Sequence, residues 1–252
     1  MKNLNQYINE KLKISKKQYN YCPKTKKELY DLIRKRIKEE GNNVNLNDID
    51  VSNITDMSGL FSITTFNGDI SGWDVSNVTD MWKMFYICEK FEGKGLENWD
   101  VSNVEDMHYM FYGCKNLNCD LSNWDVSNVT NMERTFTKCS NFEGKGLENW
   151  DVSNVKNTEY IFYRCNNLNC NISKWDVSNI KDMEMMFGYC EEFEGKGLEN
   201  WNVSNVENMY YMFWDCKKLD CNLSKWDVSN VKYYDGIFCD CPIKDEYKPK
   251  FV

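Results

Sequence analysis

A tryptophan recurs along most of this chain at steps that alternate between 26 and 25 residues. No other feature of the sequence constrains the fold as strongly. Each tryptophan begins a phrase of the form W-[DN]-V-S-N-[VI], and an earlier copy of the phrase, without the tryptophan, starts at Ile49. The chain therefore contains eight copies of one unit, of which seven carry the residues Trp73, Trp99, Trp124, Trp150, Trp175, Trp201 and Trp226.

The second half of each unit carries apolar residues at a different spacing. Val78, Met81, Phe85 and Cys88 are separated by three, four and three residues, which is the spacing of one helical face. Trp73 and Val75, in contrast, alternate as on one face of an extended strand. One unit is thus predicted to form a short strand, a corner, a short helix and a return.

A unit of this size cannot bury both of its faces, so the units must stack on one another. The predicted fold is an α/β repeat in which a parallel strand ladder lies on one side and short helices lie on the other. We expect a basic helical cap and linker over residues 1–47, eight repeats over 48–241 and a polar tail over 242–252. Within the cap, Thr25, Glu28 and Gly41 predict a helix over residues 25–40, and a further short helix is expected over residues 3–14.

The repeat resembles that of a known family. The segments 223–231, LSKWDVSNV, and 107–114, MHYMFYGC, are similar to the BspA-like leucine-rich-repeat family of bacterial surface proteins. The resemblance covers residues 48–241, and it implies a right-handed leucine-rich-repeat-like solenoid that functions in adhesion or partner binding. It also implies a location at the cell surface. The Asn that directly follows Ser departs from the usual position of the leucine-rich-repeat asparagine.

Charge and hydropathy limit the partners and the location. The net charge of −8 divides into +7 on residues 1–47 and −15 on the rest, and an acidic body repels nucleic acid. No apolar run reaches the length of a signal peptide or a membrane span. These features predict a protein that does not bind nucleic acid and does not span a membrane, and the missing signal peptide favours the cytoplasm.

Catalysis requires a few singular groups, whereas the polar residues of this chain are copied from repeat to repeat. The one histidine, His108, lies at a variable position, and no phosphate-binding loop, nucleophile elbow or zinc motif is present. We therefore expect no enzyme, no cofactor and no metal site.

Two repeated residue types leave alternatives open. The cysteines three residues after Phe are interpreted as buried apolar residues, but a local disulfide of the Cys114–Cys119 type remains open. The Asp that follows most of the tryptophans, as Asp74 does, is either satisfied by nearby backbone and Ser groups or forms an acidic ladder for a cation or a basic partner.

The residues directly after Met and Phe vary between repeats and are often aromatic. Tyr and Trp on a partly exposed surface are typical of interfaces. The alternative is that they only cover the seams between stacked units. We predict that a protein partner, of unidentified nature, binds there, with a glycan-binding adhesin or a structural component of a cell envelope or virion as alternatives. The candidate partner-binding residues are Trp82, Tyr86, His108, Tyr109, Tyr112, Tyr160, Tyr163, Tyr210, Tyr211 and Trp214.

Overall fold

The computed structural model of the protein describes residues 19–251. One α-helix, α1, spans Lys26–Glu40 in this part of the chain. The Thr25 hydroxyl accepts a hydrogen bond from the Glu28 N–H, and the helix ends at Gly41, whose φ is +91°. This is the helix predicted over residues 25–40, whereas the helix expected over residues 3–14 lies outside the described residues.

The repeats contain neither the strands nor the helices that the sequence predicted. Their regular elements are 3-10 segments of three residues, and adjacent repeats are joined by isolated parallel bridges such as Asp80 with Asp106. These bridges do not extend into a sheet anywhere in residues 19–251. The predicted right-handed α/β solenoid with a parallel strand ladder and short helices is therefore wrong. The 3-10 segments of the repeats are Leu96–Asn98, Leu147–Asn149 and Leu198–Asn200, and a further one, Asp245–Tyr247, lies in the tail.

Two consecutive β-turns occupy the segment where a helix was predicted. In the second repeat they are Met81–Met84 and Phe85–Cys88, closed by N–H to C=O hydrogen bonds of 3.1 and 2.9 Å between their last and first residues. The third residues of the two turns, Lys83 and Ile87, have φ values of 53° and 55°, as in a type II turn. The first and last residues of both turns are buried. Two such turns therefore produce the same i, i+3, i+4, i+7 apolar spacing as a helix.

Each repeat forms one layer, and backbone hydrogen bonds join each layer to the next. The N–H groups of Met81, Lys83, Phe85 and Ile87 donate to carbonyl oxygens of the following layer at 2.6–3.2 Å. The same positions join the other layers, except that the Thr158 hydroxyl replaces one N–H. Each layer thus offers N–H groups to the layer after it and C=O groups to the layer before it. Layers 1 to 8 are those of Phe61, Phe85, Phe111, Phe136, Phe162, Phe187, Phe213 and Phe238.

The layers share one continuous apolar core. The Phe rings of successive layers stack with centroids 5.3–5.8 Å apart. Each buried Trp donates its indole N–H to a carbonyl of the preceding layer, as Trp99 does to Ile70 at 3.2 Å. Because an unpaired buried donor costs about 1–3 kcal/mol, these bonds make the tryptophans compatible with full burial.

Glycines explain why two kinds of connector alternate. A Cβ on Gly93 would lie 2.6 Å from the Cys119 sulfur of the next connector, and a Cβ on Gly146 would lie 2.2 Å from the backbone nitrogen of Ser122 in the previous one. The F-E-G-K-G connector therefore fits between its neighbours only without side chains at these positions. This close approach accounts for the 51-residue pairing of repeats.

Different segments cover the two ends of the stack. At the first layer, α1 buries Leu29 and Ile33, and the Arg34 guanidinium donates to the Ser62 carbonyl at 2.8 Å. At the last layer, the ring of Phe251 stacks on Tyr234 with centroids 4.4 Å apart. Among residues 19–251, no helix combines the length and the apolar composition that crossing a membrane requires.

Candidate interaction surface

The ten predicted partner-binding residues lie in the second and third positions of the β-turns, and not on the short helix that the sequence predicts in each repeat. Trp82 and Tyr86, for example, are the second residues of the two turns of layer 2, and Tyr109 is a third residue in layer 3. The first and last residues of each turn enter the core, so the middle two project outward. We call the surface formed by these outward residues of layers 2 to 7 the aromatic face.

Five of the ten residues form a cluster across layers 2 and 3. The rings of Trp82 and His108 stack at 5.5 Å, and those of Tyr86 and Tyr112 stack at 5.1 Å. Tyr109 lies between the two pairs, 5.8 Å from His108 and 5.7 Å from Tyr112. Rings that follow Met and rings that follow Phe therefore meet on one surface.

A lysine is enclosed by this cluster. The Lys83 ammonium lies 4.6 Å from the Trp82 ring centroid, 5.2 Å from that of Tyr86 and 5.3 Å from that of Tyr109. A cation over aromatic rings gains about 0.5–1 kcal/mol at an exposed site. Lys83 thus fixes the rings of two layers in relation to each other.

The remaining five residues form a second cluster across layers 5 to 7. Tyr189, which follows the same pattern, links the two parts of this cluster, since it lies 5.7 Å from Tyr163 and 4.5 Å from Trp214. The Arg164 guanidinium lies over the Tyr163 and Tyr189 rings at 5.4 and 4.8 Å. The other ring pairs of the cluster are Tyr160 with Tyr163, Tyr210 with Tyr211, and Tyr211 with Trp214.

Arg134 connects the two clusters in layer 4. Its guanidinium lies 5.4 Å from the Tyr109 ring and 4.3 Å from the Tyr160 ring, and it donates to the Tyr109 hydroxyl at 2.7 Å. Arg134 also pairs with Glu133. All ten predicted residues consequently belong to one network that runs over six layers.

Most rings of the aromatic face are half-buried. Trp82 and Tyr210 are the most exposed of the ten, at 39% and 36%, and the other eight are half-buried. Both Trp82 and Tyr112 have one ring face against a neighbouring ring and a lysine over the ring. At these two residues a neighbouring ring therefore occupies one face of the aromatic side chain.

Carboxylates border the C-terminal half of the aromatic face. The Tyr160 hydroxyl donates to Glu184 at 2.6 Å, and the Asn208 amide donates to Asp182 at 3.1 Å. Burial, with further repulsion from the carboxylates of Asp182, Glu133 and Glu184, raises the pKa of Glu159. Burial likewise raises the pKa of Asp182. The face thus combines cations held among rings with partly buried acids.

The other candidate groups have structural partners. The Asp residues after Trp close local turns, since Asp100 Oδ1 accepts hydrogen bonds from the N–H and hydroxyl of Ser102 at 3.1 and 2.6 Å. The Cys114 sulfur donates to the Phe85 carbonyl at 3.0 Å, and all twelve cysteines, Cys114 and Cys119 included, are free. His108 lies 2.5 Å from the Asp106 carboxylate. Residues 19–251 contain no group of three or more His, Cys, Asp or Glu side chains arranged for a metal ion.

Sequence reasoning missed the cationic residues of this surface. Lys83, Arg134, Lys138 and Arg164 each lie over at least one aromatic ring of the network. All four are third residues of turns, with φ between 53° and 61°. They share this position with Tyr109 and Tyr160, so a comparison of that position across the repeats would have found them.

One comparison with known proteins finds a related family. A family described as "Mycoplasma protein of unknown function, DUF285" matches the chain twice, over residues 29–145 and 130–248. The two matches start 101 residues apart, which is close to four repeats of 25 or 26 residues. No curated protein matches the chain.

Proposed function

Since the chain belongs to the DUF285 family, whose description leaves its function open, we propose its role from its own surface: it is a non-enzymatic module that binds a protein partner through the aromatic face. The observation that carries this proposal is the continuous network of rings and cations over layers 2 to 7. The core residues of the repeats are nearly invariant, whereas the residues of this network differ from layer to layer. Specificity for one partner requires such variation.

The composition of the aromatic face matches that of energetically important interface residues. Tyr, Trp and Arg dominate binding hot spots in protein complexes, and all three occur in this network. Arg134 and Lys83 already hold the rings in place, so binding would cost less side-chain entropy than ordering free rings. A preorganised surface of this kind favours affinity over adaptability.

The ring geometry favours a protein over a sugar as the partner. A sugar ring stacks on the face of an aromatic side chain, but Trp82 and Tyr112 each have a face against a neighbouring ring. Ring edges, hydroxyl groups and guanidinium groups, in contrast, suit the carbonyl, carboxylate and apolar groups of a protein surface.

Site-specific photocrosslinking tests this proposal. The photoreactive residue p-benzoylphenylalanine replaces Trp82 in one protein and Tyr210 in another, and both are irradiated in a lysate of the source organism. The control carries it in place of Asp100, an exposed residue outside the aromatic face. We expect one protein to be crosslinked from Trp82 and Tyr210 and not from Asp100.

Competition makes the test specific to the aromatic side chains. Excess unlabelled protein should suppress the crosslink, whereas a variant with Trp82→Ala, Tyr86→Ala, Tyr210→Ala and Trp214→Ala should not. Circular dichroism and hydrogen exchange must show that this variant keeps its layers. If the variant competes as well as the unchanged protein, the aromatic face is not the binding surface and the proposal is wrong.

A further inference from the structure

The C-terminal end of the stack presents an edge of backbone donors that have no acceptor among residues 19–251. In layer 7 the N–H groups of Met209, Tyr211, Phe213 and Asp215 all donate to carbonyl oxygens of layer 8. The equivalent N–H groups of layer 8 make no hydrogen bond with any described residue. They are those of Tyr234, Gly236, Phe238 and Asp240.

The side chains at this edge are also less covered than their equivalents. Tyr234 is 39% exposed and Phe238 is half-buried, whereas Met209 and Phe213 at the same positions of layer 7 are 0% exposed. Tyr233, at the border of the edge, is 62% exposed. Residues 242–251 of the tail contribute the Phe251 ring on Tyr234 and the Lys248 ammonium over Phe238, but no carbonyl to the four N–H groups.

The first layer has the complementary set of acceptors. By the pattern of every internal junction, the carbonyls of Asp56, Ser58, Leu60 and Ser62 would accept from a preceding layer. Of these, only the Ser62 carbonyl has a hydrogen bond within residues 19–251, and its donor is Arg34 of α1. The helix occupies the place of a preceding layer's turns, since Lys26 contacts Asp56 at 2.9 Å near its first residue and Arg34 reaches Ser62 further along.

We propose that the last layer of this protein is a docking edge for the first layer of a second copy, and that α1 controls this association by covering the first layer. The argument is complementarity: four N–H groups at one end match four carbonyls at the other, in the register that the chain repeats at its seven internal junctions. Such a head-to-tail contact is heterologous and does not close, so it leads to chains of copies. Docking displaces the Phe251 ring from Tyr234 and the Lys248 ammonium from Phe238, and it requires α1 to leave the first layer.

Displacing α1 in the full-length protein tests the proposal. Leu29→Glu with Ile33→Glu puts two charges at fully buried helix positions. We expect the unchanged protein to have the mass of one chain in size-exclusion chromatography with light scattering. The variant should reach two or more chains, with self-association at least tenfold stronger. A variant that keeps its layers by hydrogen exchange but stays at one chain's mass would overturn the proposal.

A matched pair at the other end separates specific docking from general adhesion of the uncovered first layer. Added to the α1 variant, Tyr234→Pro removes one docking N–H, whereas Tyr234→Ala removes the ring and keeps the N–H. We expect Tyr234→Pro to weaken association at least tenfold relative to Tyr234→Ala. Equal association of the Tyr234→Pro and Tyr234→Ala variants would show that the C-terminal edge does not take part in docking, and the proposal would be wrong.

The milder variant Lys26→Ala with Arg34→Ala covers the case in which the charged variant does not fold. It removes the polar contacts of α1 with the first layer and leaves its apolar side unchanged. It should associate measurably more than the unchanged protein, and again less with Tyr234→Pro than with Tyr234→Ala. No association at any concentration, with the layers intact, would contradict the proposal.

Discussion

Individual residues of this protein adopt a backbone conformation that side chains usually avoid. Within residues 19–251, thirteen non-glycine residues have φ between 47° and 61°, and each is the third residue of a β-turn. A left-handed conformation costs an L-residue roughly 1–2 kcal/mol. Contacts of the side chain offset this cost at Tyr109, which accepts a hydrogen bond from Arg134 and packs on neighbouring rings. The strain is therefore part of how the aromatic face is presented.

Ile63 should be an exception to this compensation. It is β-branched, has φ of 55° and is 72% exposed, so little contact offsets its strain. We expect Ile63→Gly to raise the free energy of unfolding by about 0.5–1 kcal/mol, because the relief of strain exceeds the added entropy of the unfolded chain. Urea unfolding measures the change. Tyr109→Gly, as the control, should lower stability, and a loss in both variants would contradict this explanation.

Asp182 should destabilise the protein at neutral pH. Burial raises its pKa above the reference value of 3.8, so the folded chain holds this proton more tightly than the unfolded chain does. Its contribution to stability therefore falls as pH rises from 3.8 through the folded pKa. Three other layers have Asn at this position, namely Asn131, Asn157 and Asn208.

We accordingly expect Asp182→Asn to raise the free energy of unfolding at pH 7, by an amount that the partial solvent contact of this side chain keeps small. The gain should shrink as pH falls below the folded pKa of Asp182. Urea unfolding of both proteins between pH 3.5 and pH 7, at intervals of about half a pH unit, measures how the gain depends on pH. A gain that is independent of pH would rule out titration of this carboxyl as its cause.

Among the structural elements, the glycine connectors set the distance between layers. Gly146 has φ of +97°, and a Cβ there would lie 2.2 Å from the Ser122 nitrogen. We expect Gly146→Ala to cost at least about 3 kcal/mol, because backbone of the adjacent connector has to move. At Gly113, also at positive φ, the nearest atom to a Cβ is 3.5 Å away. Gly113→Ala should cost only about 1–2 kcal/mol of conformational strain, and thermal unfolding of the pair compares them.

The elements were the part of the fold that the sequence predicted least well. The columns of Trp, Val, Met, Phe and Cys follow directly from the repeat, and they are buried. Their i, i+3, i+4, i+7 spacing, however, fits two consecutive β-turns as well as a helix. The usual signal of a type II turn is Gly or Asn in its third position, and here that position holds residues such as Lys83 and Tyr109. Local residue preference therefore pointed away from the conformation that stacking stabilises.

At the scale of the whole molecule, the position of the candidate surface could be predicted although its secondary structure could not. Variation between repeats identifies outward residues whether the segment is helical or built of turns, because the same residues enter the core in both cases. The continuity of the network was not predicted, because the cations that join rings of adjacent layers, Arg134 and Lys83, were not among the candidate residues. The stacking of Trp82 on His108 likewise joins residues of two adjacent layers.

The unequal ends of the stack should produce a gradient of local stability along the whole molecule. Layer 1 is covered by α1, whereas layer 8 leaves Phe238 and Cys241 half-buried. In a repeat protein each layer is stabilised only by its neighbours, so fraying begins at the less covered end. The core cysteines report this opening because each Sγ donates to a Phe carbonyl of the preceding layer, as Cys114 and Cys216 do at 3.0 and 3.1 Å.

Pulsed labelling with iodoacetamide at pH 8, read by peptide mass spectrometry, should therefore show three classes of thiol. The exposed Cys22 and Cys239 should react first. Cys216, one layer from the open end, should react faster than Cys139 at the centre and faster than Cys88, because opening of the C-terminal layers exposes Cys216 while the other two thiols stay buried. The guanidinium-unfolded protein, in which all twelve thiols react, is the control. Equal rates at Cys88, Cys139 and Cys216 would mean that the stack opens as a single unit, because a frayed C-terminal end has to expose Cys216 before the others.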